Sequence, residues 1–395
     1  MIDPFLSFGP MPIANGWRLP DDTTVEPLYP LELGQDQRDG SVKLCQSVPP
    51  EKLFHADYAF RTGTSEGMRE HFARLAESVT RDMPKGALVV EIGSNDGTLL
   101  RELKRRGVDV LGVDPASTTA KGLYKDNIPT ISRFFDEQVA REILTGAGPA
   151  RTVIAANVLC HLTDAALMSA LRGVATLLAP GGSLVFEDPY LGDILQKVSF
   201  DQVYDEHAQY FSATSVARLA RSAGLELVNV QRQTPHGGSM RYTLARPGEG
   251  RVLPQVPELI AAEEALRFHD RGRLDRFALD AKAILGDLVA LLVSLKRDGK
   301  RVVGYGATSE STTVLNWGGI GPDLVQAIVD TTPGKIGRVS PGMRIPVVSR
   351  DSLERDPDCF LLFAWNHAEE AMAKEADFRR AGGRFIVYVP RVKVV

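Results

Sequence analysis

Residues 87–97 read Ala87-Leu88-Val89-Val90-Glu91-Ile92-Gly93-Ser94-Asn95-Asp96-Gly97. The first six form a short, mostly apolar run, the pattern of a strand buried on both faces of a parallel sheet. The next five are turn chemistry, in which glycines permit positive φ and let the backbone approach a ligand closely. Thr98 to Arg106 continues with helical spacing. Strand, glycine turn and helix make the opening unit of a doubly wound α/β domain, where ligands bind at the carboxyl ends of the strands near the reversal of strand order.

The same alternation extends outward. Upstream, helical periodicity runs from Ser65 through Phe72, Leu75 and Val79, and Pro84-Lys85-Gly86 ends it. Downstream, Val108 to Asp114, Thr152 to Ala156 and Gly182 to Glu187 read as strands, with a helix from Asp164 to Leu178. Strands alternating with helices predict a parallel sheet with helices on both faces. Gly248 to Pro257 is polar and reads as a linker, and Glu258 to Lys296 as long helical material. A second α/β series begins at Arg301-Val302-Val303-Gly304-Tyr305-Gly306-Ala307, with further strands at Val325–Asp330, Cys359–Ala364 and Arg384–Val389. The predicted architecture is therefore α/β. It has a small N-terminal lobe over 1–64, a central Rossmann-like domain over 65–247, and a helical linker with a second Rossmann-like domain over 248–395.

Composition excludes several classes. The chain has 46 basic and 50 acidic residues, so the charge balance favours neither nucleic acid nor an acidic membrane as partner. No apolar run is long enough to span a bilayer, and Met1-Ile2-Asp3-Pro4-Phe5 does not open like a secretory leader. Cys45, Cys160 and Cys359 are widely spaced, which argues against a disulfide framework and for a reducing cytoplasm. Lys104-Arg105-Arg106 falls at a helix end, where cations suit the dipole, and needs no binding role.

The glycine turn carries the cofactor reading. Glu91, Gly93 and Asn95 are expected to hold the aminocarboxypropyl end of S-adenosylmethionine, with the Glu91 carboxylate near its cationic half. Asp114, at the end of the next strand, is placed to accept bonds from two ribose hydroxyls, and Asn157 closes the pocket. An NAD-binding domain also places an acid at the second strand, but it wants G-x-G-x-x-G. Here the spacing is Gly93-x-x-x-Gly97 with an acid before the first glycine.

Two polar segments are candidates for chemistry. Tyr204-Asp205-Glu206-His207 follows the strand near Glu187, with Tyr210 behind it. A histidine beside a cofactor pocket can act as general base because its pKa lies near the working pH. Glu206 or Asp205 would orient its ring, and Tyr204 or Tyr210 would donate to an oxyanion. A structural histidine in an aromatic segment is the competing reading. His236-Gly237-Gly238-Ser239-Met240-Arg241 suits a substrate carbonyl, hydroxyl or phosphate, and equally a plain turn. His161 reads as structural, and no metal-ligand spacing stands out.

Taken together, the chain resembles the nucleotide-sugar C-methyltransferases that methylate 4-keto-deoxysugars for antibiotic biosynthesis. The resemblance rests on Phe8-Gly9-x-x-Pro12-x-Ala14-Asn15, Leu53-Phe54-x-x-Asp57-Tyr58, the Glu91–Gly97 turn, Pro189-Tyr190-Leu191-x-Asp193, and Tyr204-x-Glu206-His207-x-x-Tyr210-Phe211-Ser212. It continues through His236-Gly237-Gly238-Ser239-x-Arg241, Gly304-Tyr305-Gly306-Ala307 and Lys335-x-Gly337-Arg338-x-x-Pro341-Gly342-x-x-Ile345-Pro346. It implies C-methylation with His207 removing the proton beside the ketone, Glu206 and Tyr204 supporting base and enolate, and Tyr58 closing the site. His236, Ser239, Arg241, Tyr305 and Lys335 would meet the acceptor. O- or N-methylation of another small natural-product acceptor is the alternative.

Two departures from the family stand out. The family's N-terminal lobe binds zinc through two CxxC pairs, whereas Asp36-Gln37-Arg38-Asp39-Gly40 stands where the second pair is expected. No zinc is expected here, since carboxylates replace the soft ligands, and the lobe must be held by packing. Glu310 stands where the family usually has a loop lysine. That puts phosphate binding by this loop in doubt, unless the loop simply faces solvent.

Overall fold

The structure is a computed structural model that describes residues 1–54, 61–116 and 126–395, without the side chain of Thr64. Three sheets organise it. The N-terminal sheet contains β1 (Ile2–Pro12), β2 (Leu28–Asp36) and β3 (Val42–Leu44), all antiparallel.

The central sheet has seven strands. In chain order they are β4 (Leu88–Ile92), β5 (Asp109–Val113), β6 (Thr130–Ile131), β7 (Ala150–Ala156), β8 (Leu178–Pro189), β10 (Glu226–Gln233) and β11 (Ser239–Ala245). β9 (Gln209–Tyr210) lies between β8 and β10 in the chain but pairs with β3, so it completes the N-terminal sheet. That exchange is local: β9 begins two residues after His207, which ties the N-terminal lobe to the segment expected to hold the base.

The spatial order of the central sheet is β10-β11-β8-β7-β4-β5-β6. β4 to β8 run parallel, as the alternation predicted. The last two strands depart from that expectation, because β11 is antiparallel to both β8 and β10. The connection from 234 to 238 is too short for a crossover helix, and a short connection forces an antiparallel return. Strand order reverses between β4 and β7, so the turns after these strands, at Gly93 and Asn157, open one crevice.

The helices follow their sequence signals closely. Glu66–Thr80 is capped by the Ser65 hydroxyl on the Met68 amide and buries His71, Phe72, Leu75 and Ala76 on one face. Asp164–Leu177 and Thr98–Arg105 end within a residue of expectation. The material read as one long helix is two, Gln255–Ala265 and Arg271–Arg297, and the first starts inside the stretch read as a linker. The break falls at Arg267, which adopts φ 56°, and Asp270 caps the second helix.

The C-terminal sheet contains β12 (Val302–Tyr305), β13 (Ile328–Val329), β14 (Val347–Val348), β15 (Cys359–Leu362), β16 (Arg384–Val387) and β17 (Lys393–Val394) in the order β14-β13-β12-β15-β16-β17. All pairs are parallel except the last.

The three parts share one apolar core. Phe200 is its hinge: its ring lies 5.4 Å from Trp317 and 6.1 Å from Tyr388, both of the C-terminal domain, and Trp317 in turn lies 4.6 Å from Phe8 of the N-terminal lobe. The place of the missing cysteines holds an ion-pair network instead. Asp36 is fully buried, and its carboxylate takes Arg38 at 2.5 Å and the Lys43 ammonium at 3.2 Å. Lys43 also reaches Asp164 of the central domain at 2.9 Å. Asp36 is already claimed by two cations and Asp39 accepts from Ser41, so this hard, engaged donor set does not fit zinc. Among the described residues, no helix is long and apolar enough to cross a membrane.

Candidate active site

The cofactor crevice is built by backbone geometry that only certain residues accept. Gly93, Asn95, Gly97 and Asn157 all have positive φ, at 70°, 46°, 75° and 54°. A Cβ on Gly93 would stand 2.3 Å from a methyl of Val158, so no other residue fits beside the turn after β7. Asp114 fixes the loop rather than standing apart from it. One carboxylate oxygen accepts the Asn95 amide at 2.9 Å and the other the Ala116 amide at 2.8 Å. The strap at Thr62 and Gly63 lies over the same loop, donating its amides to Asn95 Oδ1 and Asp96 Oδ2.

The buried polar atoms of this crevice point to a cationic, hydrogen-bonding ligand. Glu91 Oε2, Ser94 Oγ and Asn157 Oδ1 are buried and have no partner among the described residues. Such groups are costly unless a ligand completes them. Burial, with Asp114 and Asp96 adding like charge, pushes the Glu91 carboxyl well above the usual carboxylate range. An ammonium donor beside it would remove that penalty. This is the chemistry expected of the aminocarboxypropyl end of S-adenosylmethionine, and the residues present fit it.

Next to this crevice lies the segment 200–207. The His207 ring is buried, and its Nδ1 lies 3.1 Å from the Gln202 carbonyl. A carbonyl only accepts, so Nδ1 carries the hydrogen and Nε2 the lone pair. The Tyr204 hydroxyl donates to that Nε2 at 2.8 Å. Burial, with His161 and His236 nearby, lowers the His207 pKa well below the ordinary imidazole range and keeps the ring neutral.

The carboxylates expected to orient the ring do something else. Asp205 accepts the Ala14 amide at 3.2 Å, and Glu206 accepts the Asn15 side-chain amide at 2.7 Å. Both reach into the N-terminal lobe, and the ring is oriented by a backbone carbonyl. Burial and Glu206 push the Asp205 carboxyl up to about 8. Tyr210 is buried against the site, its ring 6.4 Å from His207, but its hydroxyl finds no partner among the described residues. Tyr58 lies outside the described residues.

Sequence reasoning missed two neighbours of His207. The His161 ring stacks on His207 at 5.5 Å and on Phe54 at 5.1 Å, which makes it a wall of the site rather than an incidental helix-start residue. Its position just past Asn157, at a strand end, was the available signal. Cys160 joins them: its thiol and the ring nitrogens of His161 and His207 lie within 4.8 Å of one another. Beside the thiol, burial holds the Asp188 carboxyl at about 8.

The residues expected to meet the acceptor divide. His236 adopts φ 56° in the turn between β10 and β11, and burial with neighbouring histidines lowers its pKa to about 4. Arg241 is committed elsewhere: its Nε pairs with Glu187 at 2.5 Å, and His71 donates to the other oxygen of Glu187 at 2.5 Å. The Ser239 hydroxyl donates to the Pro235 carbonyl at 3.0 Å and serves the turn. Tyr305 packs on Phe360 and Phe385 inside the C-terminal domain, because side chains alternate along β12 and this one points away from the cleft. Lys335 donates to the Ala307 carbonyl at 2.6 Å and lies over the Trp17 ring at 5.2 Å. Glu310 is half-buried in the first turn of helix Ser309–Trp317, with Lys335 and His367 nearby, so it does not simply face solvent.

Comparison with known proteins gives a consistent picture. Residues 60–230 match the family described as a methyltransferase domain, and residues 234–390 match the C-methyltransferase C-terminal domain. The C-methyltransferase NovU of Streptomyces niveus is 34% identical over 396 residues, covering 99% of this chain and 93% of that protein. A ubiquinone biosynthesis O-methyltransferase of Cupriavidus pinatubonensis is 26% identical over 178 residues, covering 41% of this chain and 69% of its own. Among solved structures, magnesium protoporphyrin IX methyltransferase from Synechocystis PCC 6803 with bound SAM is similar at 15% identity and a TM-score of 0.35. That match covers 46% of this chain and 80% of the other.

Proposed function

We propose an acceptor and a mechanism for this chain, which belongs to the S-adenosylmethionine-dependent C-methyltransferase family. The enzyme acts on a small molecule. Our reading is that the acceptor is an enolisable carbonyl compound, a 4-keto-deoxysugar nucleotide, and that the methyl group goes to the carbon beside the ketone.

The observation that carries this reading is the contact of His207 Nδ1 with the Gln202 carbonyl, from which the tautomer follows. A buried, neutral imidazole with its hydrogen held on the Gln202 carbonyl presents Nε2 as a base, and a phenol sits on that same nitrogen. An enolisation needs that pair: a base for the carbon-bound proton and a hydrogen-bond donor for the oxygen that gains charge. His207 Nε2 takes the proton, and Tyr204 turns its hydroxyl to the enolate oxygen. Because Nδ1–H never leaves Gln202, the ring does not rotate as it becomes charged. Glu206, held by Asn15, and Asp205, held by Ala14, fix the backbone between these two side chains.

When bound, S-adenosylmethionine supplies an electrophilic methyl group on a sulfonium centre. Glu91, Gly93, Asn95, Asp114 and Asn157 would hold it, with the three unpartnered atoms of the crevice satisfied by the ligand. On the acceptor side, Lys335 and His236 are the proposed contacts. Arg241, Ser239 and Tyr305 act through the fold.

A mass-spectrometric methyl-transfer assay with a panel of dTDP-4-keto-deoxysugars tests the reading, comparing wild type with His207→Ala. The acceptor should gain a methyl group with wild type and not with the variant. An acceptor deuterated beside the ketone separates the alternative, since C-methylation discards a deuterium and O- or N-methylation keeps it. Product that retains all its deuterium would overturn the proposal.

A further inference from the structure

Four consecutive residues just before the base, 200 to 203, are each held by the C-terminal domain. Phe200 packs between Trp317 and Tyr388. One oxygen of the buried Asp201 carboxylate accepts the Tyr388 hydroxyl at 2.6 Å and the Trp365 indole N–H at 2.7 Å. The Gln202 side-chain amide reaches Glu310 at 3.5 Å, and the Val203 carbonyl accepts the Thr313 hydroxyl at 2.8 Å. The next threonine upstream, Thr312, donates to the Ala14 carbonyl at 2.9 Å, whose own amide is held by Asp205.

Beyond the packing of Phe200, this attachment is polar and directional, and its Asp201–Tyr388 and Val203–Thr313 bonds are buried. Apolar packing would hold two domains at lower desolvation cost. Hydrogen bonds instead fix orientation, and here they fix a single 3-10 turn, Phe200–Gln202. The functional output of that turn is the Gln202 carbonyl, which holds the His207 hydrogen on Nδ1 at 3.1 Å. Rotating the peptide between Gln202 and Val203 would withdraw the acceptor and leave the imidazole free to exchange tautomers.

We infer that Asp201 is a positioning residue. By taking the Tyr388 and Trp365 donors of the C-terminal domain, it sets the turn whose Gln202 carbonyl fixes the tautomer of His207. The kinetic part of this inference rests on His207 being the base, as proposed above; the tautomer part does not. The C-terminal domain is thus a working part of the base, not only a surface for the acceptor.

The test compares Asp201→Ala, Asp201→Asn and Tyr388→Phe in the full chain. Tyr388→Phe removes one hydroxyl and covers the case in which Asp201→Ala fails to fold. Nitrogen-15 spectra of ring-labelled histidine, with His207 assigned by its absence in His207→Gln, report the tautomer directly. We expect a clean Nδ1–H signature in wild type and a mixed one in Asp201→Ala and Tyr388→Phe. Asp201→Asn keeps an accepting oxygen and should restore the wild-type signature. In parallel, kcat should fall by about 10- to 100-fold in Asp201→Ala and Tyr388→Phe, the range for a misplaced catalytic group. The Kd for S-adenosylmethionine should stay unchanged. An unaltered His207 signature in folded Asp201→Ala or Tyr388→Phe overturns the inference. A lost signature with intact kcat upholds the positioning and refutes His207 as the base.

Discussion

Replacing Glu91 by glutamine should uncouple cofactor binding from proton release. Glu91 is 3% exposed, one of its oxygens has no partner among the described residues, and Asp114 and Asp96 add like charge. Its carboxyl therefore titrates well above the ordinary range in the free protein. An ammonium arriving beside it favours the ionised form, so binding S-adenosylmethionine should be accompanied by proton release from Glu91. Affinity should then rise with pH up to the shifted pKa and level off beyond it. Glutamine keeps the shape but loses the charge. A hydrogen bond to a charged group contributes about 1.5–3 kcal/mol, so the variant should bind roughly 10- to 100-fold more weakly. Titration calorimetry in two buffers of different ionisation enthalpy measures the proton directly. Wild type should release protons on binding and Glu91→Gln none. Equal affinity of the two proteins, with no buffer dependence in wild type, would sink the argument that the unpartnered carboxylate awaits a cation.

Three further outcomes follow from the same geometry. Asp188 is fully buried at about 8 against an ordinary value of 3.8, so the folded protein holds a proton there that the unfolded chain releases. Stability should therefore fall as pH rises from about 4 to 8, and thermal melts should show Asp188→Asn flattening that decline, by up to about 1.4 kcal/mol per pH unit. Lys43→Met leaves buried Asp36 with Arg38 alone and should cost about 3 kcal/mol in denaturant unfolding; adding Asp36→Asn should recover most of it. Because Arg38 and Lys43 hold the Asp36 pKa low, that stabilisation is present above the ordinary carboxylate range and is lost as pH falls through and below it. Tyr204→Phe should lower kcat by about 100-fold or more while leaving the Kd for S-adenosylmethionine unchanged in calorimetry.

The turn expected to hold the cofactor was legible as structure because its requirements are local. Positive φ at Gly93 and Gly97, an acid closing β4, and another closing β5 all lie within one strand–turn–helix–strand unit, so spacing alone marked the turn. The proposed base was legible as a candidate residue, but its hydrogen-bond partner was not. His207 stood out by its neighbours in sequence, and those neighbours suggested a carboxylate as its partner. The partner is the Gln202 carbonyl, a group every residue carries and no side-chain pattern can mark. Asp205 and Glu206 are diverted to Ala14 and Asn15, some 190 residues upstream, in contacts that only the folded chain creates. The surroundings of Arg241 and Tyr305 were hidden for a related reason: their types suit a ligand, but alternation along β11 and β12 sets one against Glu187 and the other among aromatic rings.

The arrangement also explains how the N-terminal lobe stays in register with His207, given that its donor set does not fit zinc. Its sheet is completed by β9, which begins two residues beyond His207, so the lobe cannot shift without moving the segment that carries the proposed base. Lys43 pins the same edge to Asp164 across the domain boundary while pairing with Asp36, which stands where the resembling family has a metal ligand. A metal holds its ligands whatever surrounds them, whereas an ion pair depends on being buried correctly. The lobe's stability is thereby coupled to docking on the central domain, and docking is also what delivers Ala14 and Asn15 to Asp205 and Glu206. On this argument, substitutions that loosen the lobe should lower kcat before they unfold the protein, because the first contacts to be lost are those that hold the backbone between Tyr204 and His207.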